Sequence, residues 1–239
     1  MTNKLLKFCF EQIVAPECEK IAAEKAIAEN PANASPFEAA AVRSKLWSAG
    51  RTLSVSFLDG TSDMQAQVAH FAQQWCDYAN VSFNLGAHAD AEIRISFTKV
   101  GSWSAVGTDA MVQEFFAPSS PTMNFSWVDE AVVLHEFGHA LGLIHEHQSP
   151  TTPIKWNEPA VIAYLAGPPN YWSEEQTRRN VFERYSVEQT QHTKFDPDSI
   201  MLYYFPKEFT LNGQMFKQNE VLSLQDREFI AECYPHSPR

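Results

Sequence analysis

Residues 132–147, VVLHEFGHALGLIHEH, hold four of the chain's eight histidines within thirteen positions. His135 and His139 are four apart, so on a helix both imidazoles leave one face about 5–6 Å apart at Cβ. One metal ion can then reach both. Gly142 follows three residues later and can adopt the left-handed conformation that ends a helix. The chain then turns and brings in His145 from another direction. Three neutral imidazoles leave a fourth position for water, which is the arrangement of a catalytic rather than a structural zinc ion. Glu136 stands beside the first ligand, where it can take a proton from that water while the ion polarises a carbonyl. This is the chemistry of peptide-bond hydrolysis. A spacing of His-Glu-x-x-His-x-x-Gly-x-x-His arises by chance in a chain of this composition with a probability on the order of 10⁻⁵.

Positioning these groups requires a helix over the motif and a core beneath it. A helix is predicted from about Asp129. Before it, RTLSVSFLDG alternates apolar and polar residues and ends in Asp-Gly, as a strand and turn do, and VSFNL and AEIRISF supply two more strands. Between them Val68, Phe71, Ala72, Trp75 and Ala79 recur at helical spacing, which predicts an amphipathic helix lying on a sheet. VGSWSAVGTDA reads as a Gly, Ser and Trp stretch, and PTMNFSW as a short strand at a sheet edge. The segment Pro121–Ser126 is the candidate strand for pairing with a substrate backbone, the alternative being a buried strand without a binding role, since sequence does not distinguish an edge from a centre. After the motif, prolines restrict IKWNEPAVIAYLAGPPNYW to short helices. LSLQDREFIAECY reads as a closing helix, with Ser223 and Asp226 in a capping-box spacing.

With 239 residues, 44% apolar, the chain can bury a substantial core. Its net charge of −11 opposes a phosphate backbone or an anionic membrane as the main partner. A peptide or small-molecule partner fits better, and the expectation is a monomer that takes a protein or peptide substrate. No apolar run reaches the length of a membrane span, and the amino terminus carries no recognisable export signal. As written, the chain is expected in the cytoplasm as synthesised, or outside it by a non-standard route. Cys9, Cys18, Cys76 and Cys233 are too few and scattered for a disulfide framework. His70, His88, His147, His192 and His236 read as surface or packing residues.

The motif continues as HExxHxxGxxHE, ending in Glu146, and about fifty residues on comes DPDSIMLYY. Together these resemble the metzincin clan of zinc metalloproteases, and within it the astacin family, whose methionine turn carries Ser-x-Met-x-Tyr at the places of Ser199, Met201 and Tyr203. LWSAGRTLSVSF, GSWSAVG and the closing helix are similar too. The resemblance implies an α+β, two-lobed zincin fold: a twisted mixed sheet with two helices above the cleft, and an irregular lower lobe with a C-terminal helix. It implies one catalytic Zn²⁺ on His135, His139 and His145, with Tyr203 as a switchable further ligand that assists the oxyanion. Glu136 would be general base and then acid, and Met201 a hydrophobic floor. The function implied is a zinc-dependent endopeptidase, the alternative being a zinc-bound, catalytically silent peptide-binding module. Ser102 and Asn80 stand where the family has cysteines, so its two disulfides are not expected.

Residues 1–44 differ in composition from the remainder, with a charged helix in PECEKIAAEKAIAEN and a linker after it. They read as an N-terminal extension of pro-segment type, and 45–239 as the catalytic domain. Aligning on Trp47 puts a family-like cleavage within Phe37–Ala41, after which the new amino terminus would pair with Glu146. Cys9 or Cys18 is a candidate thiolate for silencing the zinc, beside the reading of both as ordinary thiols. Tyr171 and Trp172 stand out as aromatics for a cleft wall or the core.

Overall fold

The computed structural model describes residues 9–34, 45–185 and 194–236. In chain order its main elements are β1 (Cys9–Gln12), α1 (Glu19–Glu29), β2 (Arg51–Phe57), α2 (Ser62–Ala72) and β3 (Val81–Leu85). They are followed by β4 (Ile93–Ser96), β5 (Ser102–Ala105), β6 (Met123–Asn124) and α3 (Glu130–Ala140). The rest holds α4 (Glu158–Leu165), α5 (Glu174–Thr177) and α6 (Leu224–Cys233). No helix among the described residues is long and apolar enough to cross a membrane.

The six strands form one sheet in the order β1-β5-β6-β4-β2-β3. All neighbours are parallel except β5 and β6, which run antiparallel. A parallel sheet needs cover, and the predicted amphipathic helix supplies it. Val68, Ala72, Trp75 and Ala79 are all buried, the last two just past α2 in a 3-10 turn and its exit. Thr61 caps α2 through a bond from the Met64 N–H, and Asp129 caps α3 through one from the Val132 N–H at 2.8 Å. α3 packs against α2, and Phe137 on α3 meets Phe83 of β3 edge-to-face at 5.0 Å. Trp75 donates its indole N–H to Leu134 O, and Trp47 donates its own to Ala140 O at 2.8 Å. Both indoles are fully buried and fix the motif helix at two heights.

Two expectations change here. VGSWSAVGTDA contains a strand, β5; Gly101 and Gly107 bracket it, which made it look irregular. Pro121–Ser126 contains β6, but β6 lies between β4 and β5 and is no edge. Its ladder groups are already engaged on both sides. The outer side of β5 is the one left to another strand, and β1, unforeseen in the sequence, occupies it with Cys9 opposite Ser102 and Gln12 opposite Ala105.

Arg94 of β4 is buried, and its guanidinium donates to the carbonyls of Ala91, Phe116, Ala117 and Ser120 at 2.7–3.4 Å. One side chain thus satisfies a whole connection between β5 and β6. Arg94→Met keeps the bulk and orphans those carbonyls, so it should lower stability by about 3 kcal/mol, read as a shifted urea midpoint at unchanged slope.

After His145 the chain is largely irregular. α6 closes it with the predicted capping box: Ser223 Oγ accepts from Asp226 N, and Asp226 Oδ2 accepts from Ser223 N, both at 2.9 Å. Tyr234, fully buried, donates its hydroxyl to Leu141 O at 2.7 Å and ties this end to the exit of the motif helix.

Candidate active site

His135 and His139 project from α3, which ends as Leu141 leaves helical geometry and Gly142 takes φ +92°. A Cβ at Gly142 would also strike the Leu46 side chain at 2.9 Å. The turn delivers His145. Its Nε2 lies 3.0 Å from that of His139, which is 3.2 Å from that of His135. All three rings are buried.

Each Nδ1 has an oxygen partner: Ile200 O for His135 at 2.8 Å, Leu143 O for His139 at 2.8 Å, and the Gln148 side-chain oxygen for His145 at 3.1 Å. Nδ1 therefore carries the proton in each ring, and each Nε2 presents a lone pair. Three lone pairs aimed at one point in a dry pocket repel one another unless a cation stands between them. Burial holds the His135 imidazole well below its ordinary value and brings His139 down to about 3, so both rings stay neutral. Three neutral nitrogens in convergence fit a zinc ion.

Glu136 points from the same helix and is fully buried, with the Cys9 thiol facing its carboxylate. Burial pushes its carboxyl well above the usual range. Met201 is buried against the motif helix at Gly138. A Cβ at Gly138 would come within 2.4 Å of its sulfur, so only glycine lets the turn approach the helix this closely. Tyr203 is buried beside His145 Nε2 and donates its hydroxyl to Cys9 O. Burial holds the phenol well above its ordinary value, so it keeps its proton.

The sequence did not reveal what holds these groups. Asp226, read only as a cap, also accepts from Ser199 Oγ at 2.7 Å and Ile200 N at 2.8 Å. It thereby sets the carbonyl that orients His135. Gln148, three residues after His145, fixes that ring and donates in turn to Arg179 O and Glu183 O. His147 is more than packing: it is fully buried, stacked on His145 at 5.1 Å, and bonded to Asn180 O. His192 lies outside the described residues.

The amino-terminal segment enters the same place. The Cys9 side chain faces Glu136, and burial raises its thiol well above the ordinary value. Two residues on, on the same face of β1, Glu11 accepts from His145 N at 3.2 Å and from Tyr185 OH at 3.0 Å. Cys18 is buried in the 3-10 turn before α1. All four cysteines are free. The Phe37–Ala41 stretch lies outside the described residues. Glu146 is mostly buried and accepts from Asp196 N at 2.8 Å.

Comparison with known proteins agrees with this geometry. No protein of curated function matches the chain significantly. A solved structure of myroilysin is 42% identical, with a TM-score of 0.78, over 83% of this chain and 99% of that one. A crystal structure of myroilysin is 37% identical, with a TM-score of 0.62, over 96% of this chain and all of that one. Residues 40–159 match the astacin peptidase family. The match spans half the chain and includes the three histidines and the glutamate between them, so the chain belongs to the astacin family of zinc metalloendopeptidases.

Proposed function

We propose that this protein is a zinc-dependent endopeptidase made as a covered precursor. His135, His139 and His145 hold the metal, Glu136 moves the proton, and Tyr203 assists both as a further ligand and at the substrate oxygen. Residues 1–44 are the pro-segment and 45–239 the catalytic domain. The observation that carries this reading is the convergence of three Nε2 atoms in a buried site with Glu136, itself fully buried, on the helix that supplies two of them. When bound, zinc supplies Lewis acidity, which acidifies water and polarises the scissile carbonyl.

Glu136 does the proton work. A carboxylate taken out of water holds a proton more tightly than one in solution, so once it removes a proton from the attacking water it keeps it. It then passes that proton to the leaving amine. Tyr203 keeps its proton near neutral pH and already donates to a main-chain carbonyl, that of Cys9, beside His145. Once the segment leaves, that hydrogen bond passes to the substrate oxygen as negative charge builds there. The outer side of β5 becomes open to a substrate strand at the same moment.

The test is zinc content together with cleavage of denatured casein, after limited proteolysis has removed the extension. The expected result is bound zinc and cleavage that a chelator abolishes and added zinc restores. Zinc binding without cleavage of casein or of an unfolded peptide library would overturn the reading in favour of a peptide-binding module. Acidification should release the metal, because protons compete for the three Nε2 lone pairs.

Glu146 offers a test of the pro-segment assignment. Burial, followed by the nearby Asp226 and Asp196 carboxylates, raises its carboxyl to about 7. A carboxyl whose folded pKa exceeds its unfolded value of 4.5 contributes stability that is full below 4.5 and is lost as pH rises through 7. In the full-length protein Glu146→Gln should therefore gain on wild type by on the order of 3 kcal/mol between pH 4.5 and pH 8, read by urea unfolding. In the trimmed protein a new ammonium group beside Glu146 favours the charged carboxylate, and this gain should shrink or reverse. An identical gain in both forms would contradict the pairing.

A further inference from the structure

Phe10 follows the residue at the centre of the site, and its side chain fills a slot of its own. Its ring centroid lies 6.4 Å from that of Trp103, with the planes tilted by 35°, and 6.2 Å from that of Trp172, edge-to-face at 90°. Trp103 lies opposite it on β5, whereas Trp172 comes from beyond α4, on the other half of the molecule. Gly101 forms the third wall, where a Cβ would come within 2.8 Å of the Phe10 ring. Both indoles are nearly buried, at 8% and 6% exposure, and β1 contributes to that cover.

From this geometry we infer that the slot formed by Trp103, Trp172 and Gly101 is a substrate subsite next to the scissile bond, selective for an aromatic residue, with Phe10 as its resident in the precursor. The inference rests on the endopeptidase reading and adds the substrate class. Three observations support it. Cys9 is the residue whose carbonyl meets Tyr203 and whose side chain faces Glu136, so its neighbour occupies a position flanking the reacting bond. β1 is held on the outer side of β5 by main-chain pairing, the mode by which an extended substrate would be held there, with side chains sorted by pockets. The slot presents one tilted and one perpendicular indole at 6.2–6.4 Å, the edge and face geometry that aromatic pairs prefer. A small or acidic side chain would leave both indole surfaces uncovered or desolvate its charge against them. Trp172, one of two aromatics singled out in PPNYW, thus joins the cleft wall, while Tyr171 beside it is 72% exposed.

The experiment uses the zinc-loaded protein after limited proteolysis has removed the extension. Cleavage sites in denatured proteins are mapped by mass spectrometry, and kcat/KM is compared for a peptide pair differing only by Phe or Ala at the enriched position. Phe, Tyr or Trp should be enriched at one fixed position adjoining the cut. The Phe-to-Ala ratio should fall roughly tenfold or more in Trp172→Ala, the scale of losing a buried aromatic contact. A separate arm follows tryptophan fluorescence as the synthetic peptide LLKFSFEQIV, residues 5–14 with Cys9→Ser, binds the trimmed, zinc-loaded Glu136→Gln protein. Its Phe10→Ala form should bind at least about tenfold more weakly. Cleavage with no aromatic preference, a ratio unchanged in Trp172→Ala, or equal binding of the two peptides would each overturn the slot. A trimmed protein that cuts nothing defeats the endopeptidase reading instead, and the binding arm still decides the slot.

Discussion

Glu136→Gln, zinc-loaded and freed of its extension, should keep its metal and lose on the order of 10³-fold or more in kcat, the upper range for removal of a general base. The substitution is nearly isosteric, so the helix, the three imidazoles and their Nδ1 partners are left in place. The amide cannot accept and then return a proton, and so both halves of the reaction lose their carrier. Zinc content should match that of wild type, because Glu136 is not among the converging ligands. Folding should be equal or better, since a fully buried carboxylate is costly to keep charged. Loss of both metal and activity would instead place Glu136 among the structural groups of the site. Full activity in Glu136→Gln would remove it from the mechanism.

The second large effect concerns the extension. Full-length protein, verified by mass as still carrying residues 1–44, should turn over an unfolded substrate at least ~10²-fold more slowly than the trimmed form, equivalent to about 3 kcal/mol of segment docking. That magnitude is consistent with what would have to come apart. The four residues of β1 pair along β5, and Tyr203 bonds to Cys9 O. Glu11 is held by Tyr185 and the His145 backbone. Behind them Ser48 Oγ donates to Glu29 O, Asn33 donates to Leu46 O, and Arg51 pairs with Glu29. Cys9→Ala and Glu11→Ala should each raise full-length activity part of the way, and the double substitution further. Cys9→Ala acts by removing the thiol that faces Glu136, and Glu11→Ala by removing the latch two residues away. Equal activity of the full-length and trimmed proteins would refute the pro-segment assignment. An unchanged full-length rate in Cys9→Ala would assign latency to the strand rather than the thiol.

The sequence alone pointed to the three histidines that the structure brings together, because an i, i+4 pair on a helix followed by a glycine turn is a local geometry. Local physics likewise made α2, α3 and α6 legible, as each has a capping residue and a buried face set by nearby positions. The bracketing glycines hid β5, a four-residue strand whose partners are Cys9–Gln12 and Met123–Asn124. Its identity rests on pairing across the sheet, which neighbours in sequence do not encode. For the same reason Pro121–Ser126 could be read either as an edge or as a buried strand. Edge or interior is a property of what lies alongside a strand, and only the sheet order answers it.

The tertiary structure alone decided the supporting cast. Asp226 sits 91 residues from His135 and reaches it through Ile200, and Glu11 reaches His145 across 134 residues. Phe10 finds its two indoles 93 and 162 residues away. A motif records which atoms can hold a metal, because those atoms lie within a few turns of one another. The orientation of each ring, the cover over the metal position and the shape of the slot beside it come from side chains far apart in sequence. Burial of the core is what brings them together.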